Sequence, residues 1–111
     1  MRTYTIDQLE EADIAAINAR LLNLELQAGL EGVYWLPVPG ELLTQPQKEH
    51  LEQCGPYCLA LEVESNAVHL ELLVRGMGRI TCGCVSFASE KLRNHMIKYL
   101  EDMLKDLNVR F

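Results

Sequence analysis

His50, Cys54 and Cys58 recur at intervals of four residues, and the first two share a face if the segment that carries them is helical. Such an arrangement is what a three-ligand metal site or a Cys-His nucleophile pair requires. No third group that would orient the histidine is identifiable, and a histidine at a helix end commonly caps or packs instead. Cys82 and Cys84 would complete a set of four thiolates, which tetrahedral zinc accepts. In a three-stranded meander, however, Cys58 and the Cys82–Cys84 strand are two strand spacings apart, about 9–10 Å, too far for one ion. The expectation is four reduced, space-filling thiols and no metal or other cofactor.

The stretch Cys54-Gly55-Pro56-Tyr57-Cys58 resembles, over five residues, the Cys-Gly-Pro-Cys redox motif of the thioredoxin family with one residue inserted. That motif opens a helix, whose N-terminus lowers the thiol pKa, whereas these cysteines end a helix and enter a strand. The family's chemistry is therefore not carried over. Glu62 and His69 form a second candidate, facing each other across a hairpin with Glu64 and Glu71 on the same face. They suit proton transfer, or equally an ion pair on a half-exposed sheet. Trp35, with Tyr34 and Tyr57, offers an aromatic anchor for a ligand or partner, or closes the end of a small core. Gly76-Met77-Gly78 is too short for a phosphate-binding loop and reads as a turn.

The elements that would position these residues follow from period and caps. Thr5 with Gln8 has capping-box spacing, predicting a first helix from Thr5 to Gly29 with Ile14, Ile17, Leu21, Leu24 and Ala28 as its buried seam. Leu22 and Leu26 lie off that seam and would form a second apolar edge, available to another subunit. Val33–Val38 reads as an edge strand or a packed loop, since Pro37 cannot donate a ladder hydrogen bond. Thr44 with Gln47 caps a short helix that ends at Gly55-Pro56.

Tyr57–Glu64 and Ala67–Arg75 alternate about a two-residue Ser65-Asn66 turn, which pairs Val63 with Val68, Leu61 with Leu70, Leu59 with Leu72 and Tyr57 with Val74 on one face. A three-residue turn at Gly76–Gly78 would then start a third strand, Arg79–Phe87, with Ile80, Cys82, Cys84 and Ser86 facing the core, whereas a four-residue loop would flip them outward and turn Val85 and Phe87 inward. Ser89 caps a last helix with Leu92, Met96, Tyr99, Met103 and Leu107 inward. The fold class is α+β, in the order α-β-α-β-β-β-α: a two-layer sandwich of an antiparallel three-stranded meander, plus a fourth edge strand if Val33–Val38 is one, packed with helices. Residues 1–111 read as a single domain.

The chain carries a net charge of −6, unevenly spread: residues 1–74 hold 12 carboxylates against 3 bases, and residues 75–111 hold 4 against 7. With no basic cluster, nucleic acid is not an expected partner. With no apolar run of spanning length and a charged amphipathic stretch following Met1-Arg2-Thr3-Tyr4, the expectation is a soluble cytoplasmic protein that does not engage membranes. No reaction is named by these residues, and an enzyme is the less favoured reading. The leading one is a small protein-interaction or regulatory module that self-associates into a homo-oligomer, such as a homodimer, or binds a protein partner. Its contact residues would be Leu22 and Leu26 together with the spare sheet face bearing Glu62, His69, Glu71 and Leu73. The alternatives are a thiol- or metal-dependent enzyme or sensor built on His50, Cys54 and Cys58, and a small-ligand-binding domain with a pocket lined by Met96, Tyr99 and Met103.

Overall fold

The computed structural model describes residues 1–78 and 85–111. They form an α+β fold: a six-stranded antiparallel sheet with four helices. The strands are β1 (Thr3–Ile6), β2 (Val33–Pro37), β3 (Tyr57–Val63), β4 (Val68–Glu71), β5 (Leu73–Gly76) and β6 (Ser86–Phe87). The helices are α1 (Glu11–Asn23), α2 (Gln45–Glu49), α3 (Leu51–Cys54) and α4 (Glu90–Asp106).

The hairpin of β3 and β4 has the expected register. Leu61 pairs with Leu70, Glu62 with His69 and Val63 with Val68, and the Glu64 N–H donates to the Ala67 carbonyl across Ser65-Asn66 at 2.8 Å. Further along, the register changes. Tyr57 pairs with Gly76 rather than Val74, and Cys58 with Arg75. The step occurs at Leu72, between β4 and β5, whose N–H donates to Arg2 O and whose carbonyl accepts from the Ala88 N–H. An offset of two residues preserves the alternation of faces, so Leu72 and Val74 remain buried with Val68 and Leu70.

β2 lies on the other side of β3 as an edge strand, from Val33 opposite Glu62 to Pro37 opposite Cys58. β1 flanks β4 and β6 flanks β5. The third-strand expectation is corrected in register: a tight Gly76–Gly78 turn would set Ile80 opposite Val74, but Ser86 is there and Phe87 faces Leu73. The glycines instead pack against the end of α3, where the Gly78 N–H donates to Cys54 O and the Met77 N–H to Pro56 O. The expected inward placement of Ile80, Cys82 and Cys84 lies outside the described residues.

The first helix is shorter than expected at both ends. Residues 3–6 are drawn into β1, Thr5 opposite His69, and Gln8 takes a positive φ of 57°. The helix is capped instead by Glu10 with Asp13, the Glu10 N–H donating to Asp13 Oδ2 at 3.1 Å. It closes in a Schellman motif: the Leu26 N–H reaches Leu21 O and the Glu25 N–H reaches Leu22 O, with Glu25 in the left-handed region at φ 58°. Ile14, Ile17 and Leu21 are its buried seam, whereas Leu24 is exposed and Ala28 lies beyond the helix. α2 has the expected Thr44–Gln47 capping box, and Ser89 caps α4. The inward face of α4 is Leu92, Met96, Leu100, Met103 and Leu104. Tyr99, expected inside, is exposed.

One core cluster unites α1, α4 and one face of the sheet. Across it runs a row of paired residues, Tyr34–Leu61–Leu70–Tyr4, with both end tyrosines tied to helices. The Tyr34 hydroxyl donates to Asn18 Oδ1 of α1 at 2.7 Å, and the Tyr4 hydroxyl donates to Glu101 of α4. Arg20 joins the two helices through Asp106 at 2.8 Å.

Candidate functional site

The thiol and histidine residues are not brought together. His50 is exposed at the junction of α2 and α3, where its carbonyl accepts from the Cys54 N–H. Cys54 is buried in the core cluster. Cys58, next to core-facing Tyr57, belongs to the opposite sheet face, between Pro37 and Arg75 in the ladder. No disulfide joins Cys54 to Cys58, and burial pushes the Cys58 thiol above its ordinary pKa, the reverse of what a nucleophile at neutral pH needs. Among the described residues no group of three His, Cys, Asp or Glu side chains is placed to hold a metal ion. Met96 is buried core, whereas exposed Tyr99 and the edge of Met103 line a shallow hollow of about 460 Å³ with Arg20, Leu24, Asp102 and Asp106.

The sheet face away from the core gathers the second set. Its rows are set by pairing: Val33–Glu62–His69–Thr5 in one, Trp35–Ala60 in the next, and Leu73–Phe87 towards β6. His69 is held on both ring nitrogens, with Nδ1 2.8 Å from Thr5 Oγ1 and Nε2 3.4 Å from Glu64 Oε2. A hydrogen bond with Glu62, then the hydrogen bond and charge of His69, hold the Glu64 carboxyl below its usual range. Glu71 pairs with Arg75 at 2.9 Å, and the Arg2 guanidinium stacks 4.5 Å from the centre of the Phe87 ring. Between these groups is a hollow of about 270 Å³ lined by Thr3, Val33, Ala60, Glu62, His69 and Glu71. Trp35, Ala60 and Leu73 are half-buried, and Phe87 is 41% exposed.

Leu22 and Leu26 do not form one helical edge. Leu22 is 50% exposed on α1, but Leu26 follows the Schellman turn, packs against the core, and accepts the Trp35 N–H at its carbonyl. Leu22 instead helps line a groove of about 650 Å³, with Ile14 and Asn18 of α1 on one side and Leu30, Glu31 and Glu64 on the other. Leu30 is 73% exposed. The loop that carries it is pinned at Gly32, where φ is 78°, the carbonyl accepts the Val63 N–H at 2.7 Å, and a Cβ would come within 2.9 Å of Val63 O. Burial, and then the charge of Glu31, raise the pKa of the Tyr34 phenol behind this wall.

Sequence reasoning missed the groove because it extended α1 through residues 24–28; the spacing of Gly29 and Gly32 was the available signal for a loop. It missed Thr5 and Arg2 as partners of the sheet face because it read residues 1–5 as the approach to a helix. The alternation of Thr3 and Thr5 outward with Tyr4 and Ile6 inward was the signal for a strand. No helix among the described residues is long and apolar enough to cross a membrane. No protein-family model, curated protein or solved structure matches the chain.

Proposed function

We propose that the protein is a small interaction module that self-associates through the sheet face opposite its helices. The observation that carries this reading is the side-chain content of that face. An antiparallel sheet with helices on one side ordinarily turns a polar surface to water on the other. Here Val33, Trp35, Ala60 and Leu73 are half-buried and Phe87 is exposed, interleaved with Glu62, His69, Glu71 and Arg75. Apolar contacts with a polar, hydrogen-bonding fringe are the composition of a subunit contact. A homodimer is the simplest assembly, because one patch carrying both signs of charge can oppose its own copy across a two-fold axis. Catalysis is the less favoured reading, since the buried thiols are separated and the histidine of this face is engaged at both ring nitrogens.

Sedimentation equilibrium of the wild-type chain and of the Leu73→Glu, Phe87→Glu double variant tests the proposal. Those two residues oppose each other at the outer margin of the sheet, so carboxylates placed there remain hydrated in a monomer but are desolvated in a dimer. The expected outcome is a wild-type dimer and a folded monomeric variant. A wild-type protein that stays monomeric at high concentration, or a double variant that dimerises equally well, refutes it.

A further inference from the structure

We infer that the groove between α1 and the Leu30 loop is a docking site for a cationic, amphipathic helical segment of a partner protein. This surface adjoins the sheet face, sharing Val33 and reaching it through the Glu64–His69 pair, but the inference does not depend on self-association. One wall is set by helical spacing: Ile14, Asn18 and Leu22 recur every four residues on α1. They span about 12 Å at 1.5 Å per residue, the length of roughly two turns of an occupying helix. Leu22 and Leu30, on opposite walls, are among the most exposed large apolar side chains of the molecule.

Charge selects the occupant. The described lining residues include the two carboxylates Glu31 and Glu64 and no cationic side chain. Exposed Glu25 lies just past the end of α1 and exposed Glu11 at its start, whereas Glu10 shares a hollow with Arg110 and adds little to the field. The three bases of residues 1–74 stand elsewhere: Arg2 on Phe87, Arg20 with Asp106, and Lys48 in α2. An apolar channel fringed by acids favours leucine-like anchors flanked by lysine or arginine, and repels an anionic membrane surface or nucleic acid.

The mode of recognition also follows. Strand addition at β2, the wall beside the groove, is obstructed because Leu26 O already accepts the Trp35 N–H and the Ala28 N–H already donates to Val33 O. A partner must therefore engage through side chains laid into the groove. The wall is held by the Gly32–Val63 hydrogen bond and the Schellman end of α1, which limits the ordering cost of binding.

The test uses a helical leucine–lysine amphipathic peptide as probe, with a serine–lysine peptide of equal charge as comparator. Binding is followed by calorimetry and by backbone amide shifts of the full chain. Expected results are saturable binding of the leucine–lysine peptide, with shifts centred on residues 14–34 and 63–65. Affinity should fall by about tenfold or more in the Glu31→Lys, Glu64→Lys variant, and similarly in Leu22→Ser. Should Leu22→Ser lose its helical circular dichroism, Leu30→Ser gives the same reading from a more exposed position. Equal affinity for the serine–lysine peptide, shifts outside the groove, or unchanged affinity in the folded variants overturns the inference. So does dissociation of a wild-type oligomer by Leu30→Ser, whose side chain lines the groove and not the sheet-face hollow, which would make a second copy the occupant. Loss of the dimer in the sheet-face variant with peptide binding retained would separate the two surfaces.

Discussion

Replacing Leu61 by alanine tests the register on which every face assignment depends. Leu61 is 0% exposed and sits in the row between Tyr34 of β2 and Leu70 of β4, beneath the helix layer. The substitution removes three carbons, worth about 2.4 kcal/mol of transfer free energy at about 0.8 kcal/mol each. The site is enclosed by a paired strand on each side, so the backbone cannot collapse into the void. The unfilled cavity brings the loss to about 3–4 kcal/mol, within the roughly 2–5 kcal/mol range for buried leucine. At roughly 4 °C per kcal/mol for a chain of this size, the thermal midpoint should drop by about 12–16 °C. The control is Glu62→Ala, one residue away on the opposite face and exposed, where the change should stay within about 0.5 kcal/mol. Chemical denaturation followed by circular dichroism reads both variants. Equal effects at the two positions would refute the register and, with it, the separation of core face from contact face.

Further outcomes are expected elsewhere in the chain. Burial first, and then the hydrogen bond to Glu101 and its charge, push the Tyr4 phenol up to about 12. Its folded pKa exceeds its ordinary value, so the stability it contributes is complete below pH 10 and is lost as pH rises through about 12; ultraviolet titration should show Tyr4 and Tyr34 ionising late, with Tyr4 alone moved earlier in Glu101→Gln, and a Tyr4 midpoint near 10 would contradict the contact. Gly76→Ala would set a Cβ 2.4 Å from Cys54 O, whereas Gly40→Ala meets nothing within 4 Å. The first should cost about 2 kcal/mol or more, and comparable midpoints for the two would disprove the close packing of β5 on α3. Cys58 should react slowly with iodoacetamide at neutral pH in the folded protein and at the ordinary thiol rate in denaturant; fast labelling when folded would revive a thiol-based activity.

The parts of the fold that were legible are those in which a local signal and a tertiary contact agree. Ser65-Asn66 fixes the β3–β4 register because any one-residue slip would carry Leu61 and Leu70 to the polar face. Thr44 and Ser89 mark helix starts because their side chains accept N–H groups that otherwise have no partner. β1 was missed because two local signals compete for the same residues: Thr3, Tyr4, Thr5 and Ile6 are strand formers that alternate outward and inward, but Thr5 with Gln8 also has capping-box spacing, and pairing with β4 decides between them. In α4, Tyr99 and Leu100 are adjacent and either fits a helical period. The choice of Leu100 is made by what lies beneath the helix, which sequence spacing does not contain.

The candidate sites fall where these local rules give way. Glu25, just past the end of α1, takes a left-handed conformation with no glycine to mark it, which turns the chain out of the helix and leaves Leu22 with no neighbour from the next turn. Gly32 then returns the chain to the sheet close enough to hydrogen-bond β3, and the space between these two turns is the groove. Likewise, the two-residue offset at Leu72 is where both β1 and β6 attach, delivering Thr5 to His69 and Phe87 to Leu73 on the same face. Each surface thus depends on a backbone feature that hydrophobic periodicity does not encode. A substitution that restored the simpler pattern, such as extending α1 by replacing Gly29 and Gly32, would oppose the surface without removing any of its side chains.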